Sequence, residues 1–265
     1  GVTPVSHKEI KIEGYIADEP IEAPKLTIVI CCYNGEAYLD QCLGSLKAQQ
    51  TPSDHYKVLF VNDASMDQSL AKAKQYAGHF KYFKVVNNAI NKGLVASCNL
   101  ALEHIDTPYF IRLDADDYFS PDAVEKIYNE VESKSQDDFI IFRRWDVINN
   151  QPQTADILDD IYTWIAVSTV FRITALRSIH GYSDEYWEEY DLYLKLLEAG
   201  MKHRISPHQI YYYTRGHSSM TQDQEKNKKG FEHLVEKWGW ETLNKYGNLQ
   251  RVLDYYKIGA FHVKG

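Results

Sequence analysis

Three carboxylates within four residues are the strongest chemical signal in the sequence. Asp114, Asp116 and Asp117 directly follow the apolar run Tyr109–Leu113, and carboxylates this close repel one another unless something neutralises them. A bound divalent cation would do so, and hard oxygen ligands suit Mg²⁺ or Mn²⁺. The alternative is a solvated turn ahead of the helix predicted from Ser120. The spacing alone leaves both interpretations open.

A second acidic group surrounds the start of a helix predicted over Glu189–Ala199. Its members are Asp184, Glu185, Glu188, Glu189 and Asp191. Mutual repulsion should raise the pKa of at least one of these carboxyls, toward the near-neutral range that suits a general base. Alternatively, acids at a helix N-terminus complement the helix dipole, and this is the interpretation we prefer for Asp191.

The common phosphate-binding loops are missing from the sequence. It contains neither G-x-x-x-x-G-K-[ST] nor G-x-G-x-x-G, so a P-loop or a dinucleotide site has no support. If phosphates bind here, a metal ion and side chains must hold them.

The elements that position these acids alternate between strand and helix patterns. Strands are predicted at Leu26–Cys32, Val58–Val61, Phe83–Val86, Tyr109–Leu113 and Phe139–Phe142, with a later tyrosine-rich strand at Gln209–Thr214. The intervening segments carry apolar residues at helical spacing. This alternation predicts an α/β fold with a mostly parallel sheet flanked by helices. Ligands of such sheets bind at the carboxyl ends of the strands, where the acids after Leu113 lie.

The composition is that of an ordinary globular protein. The 265 residues are 44% hydrophobic and 25% charged, which predicts one large domain with appendages. A net charge of −8 argues against a nucleic-acid partner. The four cysteines do not form a disulfide framework, and free thiols in a reducing compartment are the better interpretation. We therefore expect a cytoplasmic protein, with peripheral contact at the inner face of the membrane as an open alternative.

Six short motifs occur in one order between residues 25 and 221. They are Ile28–Leu46, Val61–Asp67, Asn91–Gly93 with Asn99, Leu113–Asp117, Glu188–Leu192, and Tyr213–His217 with Ser219 and Thr221. In register, they resemble the family 2 glycosyltransferases of the GT-A fold, whose sheet is Rossmann-like. The resemblance implies a nucleotide-sugar donor, most often a UDP-sugar, and inversion at the anomeric carbon.

The resemblance also divides the chain. It predicts a glycosyltransferase domain over residues 25–221, with a nucleotide-binding half of about 25–117 and an acceptor half of about 118–221. Residues 1–24 would form an N-terminal arm, and residues 222–265 a helical C-terminal extension.

Carried over position by position, the resemblance implies roles for individual residues. Asn62 and Asp63 would hold the nucleobase, with Asp63 accepting a hydrogen bond from its imide. Further donor contacts are expected from Tyr33, Asn34, Glu36, Asn91, Lys92, Gly93, Asp114, Ala115, Arg215 and Ser219. The metal ligands would be Asp116, Asp114 and His217.

The implied general base is Glu189, which stands where the family usually has an aspartate. The extra methylene leaves Glu188 as the alternative base. Trp187 and Asp117 are expected on the acceptor side, with the Trp187 ring stacked on a sugar.

The implied reaction moves a sugar from a nucleotide diphosphate sugar to a hydroxyl of a glycan or lipid-linked saccharide. Mn²⁺ or Mg²⁺ would neutralise the leaving diphosphate. An alternative from a different class is a catalytically silent nucleotide-sugar-binding or scaffolding domain of a larger polysaccharide-synthesis protein. A sugar-phosphate nucleotidyltransferase is disfavoured because a Gly- and Arg-rich loop near the first strand is missing.

Overall fold

The structure, a computed structural model, describes residues 22–133, 136–216 and 223–259. The expected N-terminal arm therefore lies outside the described residues, apart from its last three positions. His217 and Ser219, two of the expected ligands, also lie outside them.

One sheet of nine strands forms the centre of the fold. In chain order the strands are β1 Leu26–Cys32, β2 Tyr56–Asn62, β3 Phe83–Asn87, β4 Tyr109–Arg112, β5 Tyr118–Phe119, β6 Phe139–Ile148, β7 Gln151–Thr154, β8 Thr169–Arg172 and β9 His203–Thr214. Along the sheet their order is β3-β2-β1-β4-β8-β6-β9-β5, with β7 paired to β6.

The sheet is parallel in its first half and mixed in its second. β1 pairs in parallel with β2 and β4, and β2 with β3. β8 then runs antiparallel to both β4 and β6, and β5 antiparallel to β9. The predicted α/β architecture is confirmed, and the parallel pairing expected for the sheet holds among β1 to β4 and between β6 and β9. The irregular pattern after residue 145 gave no sign of the antiparallel pairings.

Eight helices accompany the sheet in the described part of the chain. They are α1 Glu36–Lys47, α2 Ser69–Ala77, α3 Leu94–His104, α4 Ala123–Val131, α5 Ile173–Ser178, α6 Glu188–Glu198, α7 Gln224–Lys245 and α8 Leu249–Tyr255. α7 is kinked at Gly239, whose φ of 75° lies in the left-handed region. None of the helices described here is both long and apolar enough to cross a bilayer.

Two hydrophobic clusters cover the sheet. Alternate residues of β1 divide between them, Val29 in one and Ile28 in the other, because neighbouring side chains of a strand point to opposite faces. The Val29 cluster also contains Phe231 and Leu234 of α7 and Val252 of α8. The predicted helical C-terminal segment therefore shares a core with the sheet. The four cysteines are free thiols.

Candidate active site

Three carboxylates meet where β4 ends. Asp114, Asp116 and Asp117 each place an oxygen atom within 4.8 Å of the others. The first two side chains are half-buried and the third is buried. An all-carboxylate set at this separation fits a hard divalent cation of the Mg²⁺ or Mn²⁺ kind. The structure thus brings together the acidic cluster that the sequence predicted.

Asp117 fastens this cluster to β9. Its Oδ2 accepts a hydrogen bond from the Tyr211 hydroxyl at 2.6 Å, and its Oδ1 accepts one from the Thr214 backbone N–H at 2.7 Å. Burial, reinforced by the charges of Asp114 and Asp116, raises the pKa of Asp117 well above its usual range. The side chain is only 1% exposed. Asp117 therefore braces the acidic cluster against β9, and its expected contact with the acceptor stays a prediction.

A buried arginine beside the cluster escaped the sequence analysis. Arg112 is 3% exposed, and its Nη2 donates to Asp114 Oδ1 at 3.0 Å. Its guanidinium lies 5.6 Å from the centre of the Tyr182 ring. The signal was present in the sequence, because a cation within an apolar strand is costly unless it is paired. The arginine in the run Tyr109–Leu113 should have pointed to a buried partner.

Asp63, the expected nucleobase ligand, is held by three donors from the loop after β3. Its oxygens accept from Asn88 Nδ2 at 2.9 Å and from the backbone N–H groups of Lys92 at 2.9 Å and Gly93 at 2.8 Å. Asn91 Nδ2 donates to the Asp63 backbone carbonyl. Burial alone would raise the pKa of Asp63, but these hydrogen bonds outweigh it and leave the pKa lowered. Asp63 and the expected donor contacts Asn91, Lys92 and Gly93 therefore lie together.

The loops after β1 and β2 brace each other. Asn34 Oδ1 accepts from the backbone N–H of Met66 at 2.8 Å, and Glu36 Oε2 accepts from that of Gln68 at 3.0 Å. Tyr33, in contrast, is 50% exposed. Of the three residues expected near the nucleotide here, two shape the loops and Tyr33 presents a free ring surface.

Asn62 and Ala115 lie on the two sides of β1, in β2 and after β4. Asn62 Nδ2 donates to Asn87 Oδ1 at 2.6 Å and thus ties β2 to β3. A Cβ atom on Gly35 would lie 3.3 Å from the Ala115 methyl group and 2.8 Å from Cys32 Sγ. The motif therefore needs glycine at position 35 because the loop passes so close to the strand ends.

Glu188 and Glu189 begin α6 and face the acidic cluster. Glu189 Oε2 accepts from the backbone N–H of Ala166 at 3.3 Å. Burial, followed by repulsion from Glu188, raises the pKa of Glu189 to about 7. Burial also raises the pKa of Glu188, and the charge of Arg112 opposes that shift. A carboxyl that titrates near neutrality is well suited to accept and release protons.

Trp187 is a core residue. Its side chain is 4% exposed, and its ring centre lies 4.7 Å from that of Phe231, 4.9 Å from that of Tyr256 and 5.5 Å from that of Tyr190. Its Nε1 donates to the Asn227 carbonyl. The expectation that Trp187 stacks on an acceptor sugar is therefore corrected, because Phe231 of α7 and Tyr256, directly after α8, cover its ring.

Arg215 is engaged by the protein itself. Its Nη2 lies 3.1 Å from Asp146 Oδ2, and its Nη1 donates to the Tyr255 hydroxyl at 3.0 Å. The expected diphosphate contact would have to share this guanidinium with Asp146. The rest of the late loop, including His217 and Ser219, lies outside the described residues.

Two adjoining cavities connect these groups. The smaller, of about 160 Å³, is lined by Leu94, Arg112, Asp114, Ile165, Ala166, Val167, Tyr186, Trp187, Glu188, Glu189 and Tyr213. The larger, of about 480 Å³, is lined by Lys92, Gly93, Leu94, Val95, Ala96, Asn99, Tyr182, Asp184, Glu185, Tyr186 and Glu188. Leu94, Tyr186 and Glu188 line both cavities. The end of β4 and the start of α6 therefore share one concave site.

The family model of glycosyl transferase family 2 matches residues 27–177, more than half of the chain. This chain belongs to glycosyl transferase family 2.

Several curated relatives carry related names. The chain is 28% identical over 195 residues to the putative glycosyltransferase EpsE of Bacillus subtilis, covering 68% of this chain and 69% of that protein. An uncharacterized glycosyltransferase of Haemophilus influenzae is 29% identical, over 51% of this chain and 43% of its own length. Chondroitin synthase of Pasteurella multocida is 26% identical over 88% of this chain but only 24% of its own length. The chain thus spans less than half of the last two proteins.

Solved structures show the same fold. S. aureus TarS 1-349 in complex with UDP-GlcNAc superposes with a TM-score of 0.70 at 17% identity, covering 87% of this chain and 73% of that one. The mannosyltransferase PcManGT from Pyrobaculum calidifontis, in complex with GDP-Man and Mn2+, gives a TM-score of 0.63 at 15% identity, covering 81% and 64%. These likenesses confirm the GT-A fold.

The family 2 match ends at residue 177, before α6 begins. It covers Asp63 and the acidic cluster but not Glu188 or Glu189. The structure places both of them in the lining of the cavity that Asp114 also lines.

Proposed function

We propose that this family 2 chain is an inverting glycosyltransferase that uses a UDP-sugar donor. It transfers the sugar to a hydroxyl of a glycan or lipid-linked saccharide, with Mn²⁺ or Mg²⁺ on the diphosphate and Glu189 as general base. The observation that carries the proposal is the shared cavity, which both Glu189 and Asp114 line. A donor held by the acidic cluster would there meet a carboxyl with a pKa of about 7.

The donor side combines the exposed Tyr33 ring with the braced loops. The fixed carboxylate of Asp63 accepts from the nucleobase imide. Three internal donors already orient this carboxylate, so it loses little further conformational entropy when a ligand binds. A divalent cation held by Asp114 and Asp116 would supply neutralisation of the developing diphosphate charge. Arg112 holds the Asp114 carboxylate in position through its 3.0 Å hydrogen bond.

The chemical step is a single displacement. Glu189 takes the proton of the acceptor hydroxyl while the hydroxyl oxygen bonds to the anomeric carbon. The bond from that carbon to the diphosphate oxygen breaks, and its electron pair leaves with the diphosphate. Attack from the face opposite the leaving group inverts the anomeric configuration. Near neutral pH a base with a pKa of about 7 is partly ionised and still basic enough to accept the proton.

The acceptor occupies the larger cavity. Glu188 and Tyr186 line both spaces, so an acceptor there reaches the base without crossing the donor loops. Glu185 is paired with Lys237, whose Nζ lies 3.0 Å from its Oε1. The remaining charged lining is one basic residue, Lys92, and two acidic ones, Asp184 and Glu188, an acidic excess that suits an uncharged saccharide better than a polyanion.

The test is isothermal titration with UDP, with and without Mn²⁺. It compares the unaltered chain with Asp116→Ala and with the control Asp254→Ala. Asp254 is exposed on α8, where it accepts from Gln250 Nε2. We expect Mn²⁺-dependent binding that Asp116→Ala loses and Asp254→Ala keeps. Binding that is indifferent to Mn²⁺ would contradict the metal assignment, and no UDP binding would contradict the donor.

A second experiment separates the enzyme from a catalytically silent sugar-binding or scaffolding domain. The chain would be incubated with UDP-sugars and saccharide acceptors, and UDP release and the anomeric configuration of the product would be measured. UDP binding without release on any acceptor would favour the silent domain. That alternative stays open because the chain spans only 24% of chondroitin synthase.

A further inference from the structure

A second concave site lies far from the carboxylates. This basic cleft, of about 360 Å³, is lined among others by Lys57, Lys81, Tyr82, Lys84, His104 and Asp106. Lys57 and Lys84 are the second residues of β2 and β3, so the cleft lies at the amino ends of strands whose carboxyl ends carry the donor loops. Six residues of extended chain separate Lys57 from Asp63, or roughly 20 Å.

The cleft carries an excess of positive charge in an acidic chain. Lys57 is paired with Asp106, its Nζ lying 2.9 Å from both carboxylate oxygens. Lys84 Nζ instead lies 3.0 Å from His104 Nδ1. In the described part of the chain, neither Lys81 nor Lys84 has a carboxylate oxygen within 4.0 Å. Three lysines against one aspartate leave two uncompensated positive charges.

The shape of the cleft separates it from a flat lysine-rich surface. Leu59, 2% exposed, lines the cleft. Lys57 stands beside the ring of Tyr82, its Nζ 5.5 Å from the ring centre. Lysine side chains and an aromatic ring therefore line one space of about 360 Å³, which is large enough for a small anionic group.

We propose that the basic cleft binds a phosphate monoester. Such a group carries about −1.5 to −2 charges near neutral pH, which matches the two uncompensated lysines, whereas a carboxylate would neutralise only one. Ammonium groups bind phosphate oxygens as point charges without demanding a planar geometry. The phosphate belongs either to a soluble ester or to a lipid headgroup, and the same lysines recognise both.

The experiment follows amide NMR shifts while inorganic phosphate is added at low ionic strength without divalent cations. It uses the full chain, Lys84→Glu, and the control Lys228→Glu, which makes the same charge change on exposed α7. Flotation with phosphatidylcholine vesicles, with and without phosphatidic acid, forms the second arm. Retained UDP binding shows that each variant is folded.

We expect saturable shifts at Lys57, Lys81 and Lys84, with affinity weakened at least roughly tenfold in Lys84→Glu and unchanged in Lys228→Glu. Flotation that requires both phosphatidic acid and Lys84 assigns the phosphate to a lipid. Saturable shifts without flotation assign it to a soluble ester. If Lys84→Glu responds like the unaltered chain in both arms, the proposal is overturned, and the lysines only protect the exposed edge strand β3 from pairing.

Discussion

Two carboxylates of the candidate site have pKa values that shift in opposite directions. Asp63, at the end of β2, accepts three hydrogen bonds that keep its pKa low. Glu189, at the start of α6, has one longer hydrogen bond and a charged neighbour, and its pKa rises to about 7. Burial opposes ionisation in both cases, so the number of fixed donors decides which carboxylate stays charged.

The difference matches the two tasks that we propose for these residues. A carboxylate that holds a ligand must be ionised and rigid before the ligand arrives, and the backbone N–H groups of the loop after β3 achieve this for Asp63. A carboxylate that transfers a proton must change its protonation state at working pH. A site with few hydrogen-bond donors allows this, because it does not hold the carboxylate in its charged form. Hydrogen bonds therefore keep Asp63 ionised, and their scarcity lets the pKa of Glu189 rise toward neutrality.

The largest expected effect comes from removing the base. Glu189→Gln keeps the size of the side chain but cannot accept a proton, so we expect kcat/KM to fall by roughly 10² to 10⁴ while UDP affinity stays within about twofold. Glu188→Gln, the matched control one residue away, should lose much less. Steady-state kinetics on both variants decides the assignment, and the reverse ranking would make Glu188 the base.

The second effect concerns the stability that Asp63 gives to the loop after β3. Asp63→Ala leaves the Asn88 amide and the N–H groups of Lys92 and Gly93 without their acceptor. We expect a loss of about 3 kcal/mol in the free energy of unfolding, measured by urea denaturation. Asp254→Ala, on the surface of α8, should change it by less than about 0.5 kcal/mol. Equal effects in the two variants would show that the three donors find other partners.

The third prediction uses the pH dependence of stability to test the raised pKa. The folded state binds the Glu189 proton more tightly than the unfolded chain, whose glutamates titrate near about 4.3. Ionising Glu189 in the folded protein therefore lowers the free energy of unfolding. This loss is absent below that pH, grows as the pH rises, and is complete above about 7. We expect the free energy of unfolding of Glu189→Gln, relative to that of the unaltered chain, to be about 2 kcal/mol higher at pH 8 than at pH 4. The expected difference is this small because the side chain is only half-buried. A difference that does not vary with pH would contradict the raised pKa.

The sequence was a good guide where local pattern and function coincide. The strand ends, the acidic cluster and the loop from Asn91 to Gly93 follow from short motifs, because the carboxyl ends of parallel strands converge wherever the helices lie. The antiparallel pairing of β8 with β4 could not be predicted, since it depends on contacts more than 50 residues apart that no periodicity records.

Single side chains in the second half were harder to predict. Trp187 beside the base looked like a sugar platform, yet Phe231 of α7 and Tyr256, directly after α8, cover it. Whether a ring is exposed depends on what packs against it, and those partners lie about 40 and 70 residues further along the chain. Asp191, for which we preferred a dipole role, lies in the first turn of α6 and also accepts from Trp238 Nε1 at 2.8 Å.

The smallest expected effect tests how α7 supports the base region. Asp191 is fully buried three residues after Glu188 and bonds both Trp238 Nε1 and Lys237 Nζ, each at 2.8 Å. Trp238→Phe removes one donor but leaves Lys237, so we expect a loss of about 1 kcal/mol in the free energy of unfolding.

If this contact also sets the position of α6, kcat should fall a few-fold in Trp238→Phe and its pH profile should shift, because Glu189 lies on the same helix. Trp240→Phe, in which a ring 38% exposed on α7 is altered, serves as the control. A stability loss with an unchanged pH profile would confine Asp191 to anchoring α7. The scarcity of donors around Glu189 would then be a property of the base region itself, independent of how tightly α7 is held.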